Sequence, residues 1–253
     1  MATQIEQHIM KTETFSQRQW KSMLSQKPVQ STMSTQDYSI VQLTKADSTK
    51  TLTFLRKFFF RDEPLNIAVK LLGEDGKDMC PELDSFCLKS LEEPYSLAAV
   101  SPSGELIGVC LNGVHEPGHM DQIEANADAC PNSKFRKILK LLATVEKRAD
   151  LFNRFPDVDK LMEVRVLSVD GAHRGRGIAT ALLNKTREMA EENSLKMLRA
   201  DCTSKFSARA MIRLGAHCAF EMPYVTYCDE SGKPIFTPDS PHIAVGTYIL
   251  RLP

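Results

Sequence analysis

The chain has no excess of charge of either sign: 32 Lys and Arg stand against 32 Asp and Glu in 253 residues. No global basic field therefore exists to recruit nucleic acid or an anionic membrane. Long apolar runs are missing too. The aromatic run Phe58-Phe59-Phe60 is bounded by Lys57 and Arg61, far short of the ~20 apolar residues that span a bilayer. The N-terminus lacks a charged start followed by an apolar core, which argues against secretion. The seven cysteines are irregularly spaced, odd in number and without a Cys-x-x-Cys pair. That argues against a disulfide frame or a zinc site and for reduced thiols, with the cytosol as the default compartment. No internal repeat is visible, and no Gly-x-x-x-x-Gly-Lys-Ser/Thr run exists to form a P-loop.

What remains is the composition of a soluble globular protein, 42% hydrophobic and 25% charged, with length for one large domain or two small ones. Residues 1–37 are rich in Gln, Ser and Thr and read as a mobile tail, with Met33 as an alternative start. Residues 38–253 read as one domain. Tyr38 to Leu43 alternates as a first strand. A helix then follows Asp47-Ser48, with Leu52, Leu55 and Phe59 on one face, ending before Pro64. Leu97–Val100 and Leu106–Leu111 flank Ser-Pro-Ser-Gly, a hairpin signal. One long helical region is expected between Asp121 and Phe155, with Phe135, Ile138, Leu142, Val145 and Phe152 as its apolar positions. Strands follow at 161–169 and 197–203, helices at 178–190 and 207–214, and strand-like runs from Phe220 to Leu252. This order is mixed α/β with an antiparallel N-terminal half.

The densest signal is Arg174-Gly175-Arg176-Gly177-Ile178-Ala179. A Val- and Leu-rich strand precedes it, and Ile178, Leu182, Leu183, Met189 and Ala190 recur behind it at helical spacing. In such a layout the backbone N–H groups of a helix N-terminus converge on phosphate oxygens, glycines permit close approach, and arginines add charge. A dinucleotide fingerprint fails, because Thr180 stands where the last glycine belongs. The pattern Arg/Gln-x-x-Gly-x-Gly/Ala fits Arg174, Gly177 and Ala179, and resembles the pyrophosphate loop of the GCN5-related N-acetyltransferase (GNAT) superfamily. A bland glycine turn is the competing reading.

Two further segments carry chemistry. Asp62-Glu63-Pro64-Leu65-Asn66 follows the aromatic run, where a partly desolvated Glu63 would have a raised pKa suited to accepting a proton from an ammonium. A solvated acidic turn is the alternative. Cys202 to Arg209 stands at a strand-to-helix junction, where Thr203, Ser204 and Ser207 are ordinary N-caps or, beside a thioester, proton donors to a departing thiolate. His115 and His119 have metal-like spacing, but Pro117 and Gly118 break any helix between them, so no metal is expected and a loop near the acceptor is. Cys202 reads as strand core.

Taken together, Phe-Arg-Asp-Glu-Pro-Leu-Asn at 60–66, Arg-Gly-Arg-Gly-Ile-Ala at 174–179 and Phe-Ser-Ala-Arg at 206–209 resemble the insect arylalkylamine (dopamine) N-acetyltransferases, from about Tyr38 to Leu252. The resemblance implies the GNAT fold, a mixed central sheet with splayed strands flanked by helices. It implies acetyl-CoA as co-substrate; a monomer is the default expectation, and the balanced charge and short apolar runs leave no nucleic-acid or membrane partner expected. Glu63 matches the catalytic glutamate and Ser207 a serine near the thioester. Thr203 stands where well-studied members have a second serine, and Phe206 lacks a phenol. The pantetheine would pair with Leu167, Ser168 and Val169, a strand N–H near Leu167 would polarise the thioester carbonyl, and the pyrophosphate would take N–H groups from Arg174, Gly175, Arg176, Gly177, Ile178 and Ala179. Acceptors of the dopamine, octopamine, tyramine, serotonin or tryptamine type follow from the same resemblance. Polyamine or other non-aromatic acceptors, favoured by acids such as Asp121 and Glu124, and a non-catalytic acetyl-CoA-binding module are the alternatives.

Overall fold

The computed structural model describes residues 37–118 and 120–253, without the side chains of residues 120–122. The expected tail, save Asp37, and His119 lie outside the described residues, as does the side chain of Asp121. In chain order the elements are β1 (Ser39–Gln42), α1 (Ser48–Lys57), α2 (Phe59–Asp62), α3 (Pro64–Ala68), α4 (Pro81–Lys89), β2 (Leu97–Val100) and β3 (Leu106–His115). There follow α5 (Met120–Ala129), α6 (Ser133–Ala149), α7 (Leu151–Arg154), β4 (Leu161–Val169), α8 (Ile178–Glu192), β5 (Met197–Cys202), α9 (Lys205–Leu214), β6 (His217–Pro223) and β7 (Ala244–Arg251).

The strands form one sheet in the order β1-β2-β3-β4-β5-β7-β6. Every neighbouring pair is antiparallel except β4 and β5. That parallel pair is joined only at Met162↔Leu198 and Glu163↔Arg199. Beyond Glu163 the two strands part, which is the splay the resemblance implied. A bulge in β4 gives the bend: Val166 faces Leu111 and Val164 faces Asn112, leaving Arg165 as the extra residue. From residue 166 onward β4 keeps its ladder to β3 and leaves its other edge without a strand.

Two apolar layers cover the sheet. On one face α8 seats Ile178, Leu182, Leu183 and Ala190, with Ile107 and Cys110 of β3 beneath them. On the other face α1 to α4 and α6 bury Leu55, Phe60, Leu65, Leu83, Phe135 and Leu141. The helical spacing of these residues is what makes both stripes continuous.

Several expected boundaries shift. The helix after Asp47 does not run straight to Pro64. It breaks at Phe58, where φ −116° and ψ −65° re-aim the three phenylalanines. Phe58 then packs on Phe54 at 4.9 Å between ring centroids, Phe60 is buried in the core, and Phe59 is left for the central cavity. The long helical region is three helices, because Pro131 disfavours helical backbone at Cys130 and has no N–H to donate. Asn132 restarts α6 by accepting hydrogen bonds from the N–H groups of Lys134 and Phe135, and left-handed Asp150 (φ 46°) turns α6 into α7. His115 sits not in a loop but at the end of β3, paired with Leu161, since β3 runs four residues past Leu111. In the C-terminal stretch β7 inserts between β5 and β6, so the tail of the chain closes the sheet.

Leu182 is fully buried between α8 and the sheet. Leu182→Ala is expected to cost about 2–5 kcal/mol, read as a lower denaturation midpoint at an unchanged denaturant slope.

Candidate active site

The parting of β4 from β5 opens a cavity of about 1200 Å³. This exceeds the ~300–1,000 Å³ of a site for one drug-sized ligand, so two substrates can occupy it together. Glu63, Leu167, Ser168, Val169, Thr203 and Ser207 lie on its walls, together with Arg174, Gly175, Gly177, Ile178 and Ala179. Arg176 does not. It points away, its guanidinium 3.3 Å from Asp37 Oδ2.

The loop between β4 and α8 is shaped by its own hydrogen bonds. Asp170 Oδ1 accepts from the Ala172 N–H (3.0 Å) and Oδ2 lies 3.1 Å from His173 Nδ1. Gly175 and Gly177 then take φ +77° and +79°, values that a side chain resists. Gly177 is the N-cap of α8, and no side chain among the described residues caps that helix. Its first-turn N–H groups are thus left without a side-chain acceptor at the mouth of the cavity, an arrangement suited to pyrophosphate oxygens. The free edge of β4 at 167–169 runs into the same mouth and suits an extended amide chain such as pantetheine. Both features fit acetyl-CoA. Arg174 ties this loop across the cavity, donating from Nε to the Val169 carbonyl (3.2 Å) and pairing through Nη2 with Asp62.

Glu63 follows Asp62 as the N-cap of the short helix α3. Pro64 biases it to an extended backbone, observed at φ −73° and ψ 123°. Its Oε2 accepts from the Asn66 N–H at 2.6 Å, and Asn66 Nδ2 in turn donates to the Phe60 carbonyl at 3.2 Å. Its Oε1 is buried and has no hydrogen-bond partner among the described residues. Burial lifts the Glu63 pKa above the usual carboxylate value; the N–H groups of Asn66 and Leu65 and the nearby Thr203 hydroxyl pull the other way. A half-capped, desolvated carboxylate facing a cavity is chemically a proton acceptor.

The two hydroxyl segments separate by role. Ser204 caps α9, its Oγ accepting from the Ser207 N–H at 3.0 Å, and Ser207 Oγ donates back to the Ser204 carbonyl at 2.9 Å. Thr203 is held instead by its carbonyl, which accepts the Tyr224 hydroxyl at 2.7 Å. Tyr224 is buried, and burial reinforced by the Glu63 charge pushes its phenol well above the usual range. No motif in the sequence singles it out. Cys202 beside them is buried, with its thiol pushed up to about 12, which leaves it a core residue rather than a nucleophile.

A second feature is absent from the sequence reading. Below the point where the strands part, Arg199 is 1% exposed and pairs with Glu146 of α6, with Asp201 Oδ2 (2.5 Å) and with Glu163 Oε1 (3.3 Å). Glu163 Oε2 also meets His115 Nε2 at 2.5 Å, and Arg165 meets Glu93 Oε1 at 2.9 Å. Gly113 makes room for that arginine, since a Cβ there would fall 2.0 Å from its guanidinium carbon. The signal available in the sequence was alternation: Glu163/Arg165 and Arg199/Asp201 put charge at every second position of two otherwise apolar strands.

Comparison with known proteins agrees with this geometry. Residues 70–216 match the acetyltransferase (GNAT) family. The chain superposes on arylalkylamine N-acetyltransferase 2 of Aedes aegypti with a TM-score of 0.81 at 32% identity, covering 86% of this chain and 100% of that one. A mosquito arylalkylamine N-acetyltransferase-like protein 5b (27% identity, TM-score 0.76) and a Drosophila melanogaster polyamine N-acetyltransferase that forms N-acetylagmatine (25%, 0.77) each cover 85% of this chain and are themselves covered in full. The chain belongs to the GNAT acetyltransferase family, and it is an N-acetyltransferase that takes acetyl-CoA as co-substrate. Among the described residues no helix is long and apolar enough to cross a membrane.

Tyr224 holds Thr203 against Glu63 without itself reaching the cavity wall. Tyr224→Phe is expected to cost about 1 kcal/mol of stability. It should lower kcat several-fold and leave acetyl-CoA affinity unchanged, as read by denaturation, steady-state rates and binding titration.

Proposed function

We propose that the chain acetylates the primary amine of small arylalkylamines by direct transfer from acetyl-CoA in a ternary complex, with Glu63 as general base. The observation that carries this reading is the buried Oε1 of Glu63, which has no hydrogen-bond partner among the described residues, on a cavity that also holds the glycine-capped start of α8. The remaining walls support an aromatic acceptor. Phe59 and Phe86 share them with a single face of α6, Phe135, Ile138, Leu139 and Leu142.

The amine arrives as an ammonium and cannot attack until it loses a proton. Glu63 Oε1 takes that proton, directly or through one water, with the Thr203 hydroxyl beside it as a relay. The freed nitrogen attacks the thioester carbon, and a β4 N–H near Leu167 steadies the oxyanion. As the carbon–sulfur bond breaks, the thiolate takes a proton from the Ser207 hydroxyl, the tetrahedral nitrogen returns its extra proton to Ser207, and Glu63 releases the ammonium proton to solvent, leaving CoA thiol and the neutral amide. Leu167, Ser168 and Val169 position the pantetheine, and the segment Arg174 to Ala179 receives the pyrophosphate.

A second reading, transfer to a polyamine or to agmatine, is favoured by the carboxylates Glu146, Glu163 and Asp201 on the same cavity. Steady-state CoA release across tyramine, dopamine, serotonin, tryptamine, spermidine and agmatine decides between them. Faster turnover of the aromatic amines is expected, faster turnover of spermidine or agmatine would favour the second reading, and silence with acetyl-CoA binding intact would indicate a binding module.

Two outcomes follow for Glu63. Catalysis needs the ionised carboxylate, and the pKa is raised, so the rate should rise with pH through a limb above the ordinary glutamate value. Glu63→Gln should abolish that limb and lower kcat by roughly 10²–10⁴ while acetyl-CoA binding persists, as checked by a pH–rate profile and a binding titration.

A further inference from the structure

The reaction described above uses one end of the cavity. The other end is built as well. Glu92, Glu93, Glu146, Glu163 and Asp201 line it with Lys89, Arg165, Arg199 and His115, so five carboxylates face one ammonium, two guanidiniums and one imidazole. Even with His115 protonated, negative charge is in surplus. Burying such a surplus is unfavourable unless something neutralises it or donates to it. The Nε–H of Arg199, on the same wall, also lacks an acceptor among the described residues.

Strand geometry sets the distance from this cluster to the reacting nitrogen. Side chains two apart on a strand share a face, and the rise is about 3.3 Å per residue. Thr203, beside Glu63, follows directly on β5. Asp201 therefore lies about 7 Å and Arg199 about 13 Å from it along the strand. The lining face of α6 repeats the gradient, since Ile138, Leu139 and Leu142 lead to Glu146, about 6 Å beyond Leu142 along the axis. An acceptor with its amine at Glu63 and an apolar body on α6 thus presents its far end to the carboxylates. Asp201 is the nearest. Its oxygens already accept from Thr247 Oγ1 (2.7 Å) and Arg199 (2.5 Å), and each oxygen keeps a further lone pair. Asp201 is also largely buried, so a hydrogen bond donated to it meets little competition from water.

Resting on the N-acetyltransferase reading, we propose that the Asp201–Glu163–Arg199 cluster is a second recognition point, which selects acceptors carrying a hydrogen-bond donor at the end opposite the amine. A phenolic hydroxyl and a guanidinium both meet that requirement; a bare ring or alkyl end does not. The site thereby favours such acceptors over monofunctional amines that would otherwise fit the apolar wall, because only a donor offsets the surplus of negative charge.

Two matched acceptor pairs test this: tyramine against phenethylamine, and agmatine against pentylamine, compared by kcat/KM of CoA release. The donor-bearing member of at least one pair should be preferred by about tenfold or more. Asp201→Asn should bring that preference to within about threefold with acetyl-CoA affinity unchanged. Glu93→Gln, at the exposed edge of the cluster, leaves the buried groups in place and should reduce the same preference if Asp201→Asn fails to fold. Equal kcat/KM within both pairs, or a preference untouched by the variants, would overturn the proposal and leave the N-acetyltransferase reading standing. No turnover of any amine would overturn both.

Discussion

The structure turns on one short ladder. β4 and β5 are joined at Met162↔Leu198 and Glu163↔Arg199 and nowhere further along. Had the pairing continued, the edge of β4 at 167–169 would be satisfied by β5 and no cavity would cross the sheet. The bulge at Arg165 bends β4 away, and β3 on its other side keeps the strand ordered while it diverges. The cost of a missing ladder is thus confined to one strand edge, and that edge is where an extended amide chain can complete the hydrogen bonds.

The same divergence arranges the chemistry. Arg199 and Asp201 of β5, and Thr203 just after it, run along the open side from the closed apex of the gap to its mouth. Glu63 reaches that mouth from across the cavity on a helix too short to stand alone, stabilised by Phe60 and Leu65 in the core. The start of α8 faces the mouth from the β4 side. A buried carboxylate, hydroxyls, a helix start and an apolar wall therefore surround one volume, each held by its own element. The Arg174–Asp62 pair joins the loop that would hold phosphate to the segment that holds Glu63. It is exposed on both sides, so its role is one of orientation more than stability.

Much of this was legible in the chain. The strand at 161–169, the glycine turn and the helix beginning at Ile178 were read with their observed starts, because β-branched alternation, Gly177 and a helical stripe are strong local signals. Glu63 stood out through Pro64 and the phenylalanines before it. What escaped was non-local. The break at Phe58 depends on where each of three rings finds a cavity or a core, and the strand position of His115 depends on Leu161 being there to pair with it. Tyr224 matters through a hydrogen bond to a residue 21 positions earlier. The buried charges left a trace as alternation in two strands, but only the parallel register at Glu163↔Arg199 shows that the two traces meet.

The most direct test of the account is a crystal structure with a bisubstrate conjugate, CoA joined through an acetyl bridge to the nitrogen of tyramine. The pyrophosphate should lie on the first turn of α8, the pantetheine along 167–169, and the bridged nitrogen within one water of Glu63 Oε1, with the phenol directed at Asp201. A conjugate that enters the cavity with its nitrogen remote from Glu63, or that leaves the parted strands empty, would contradict it.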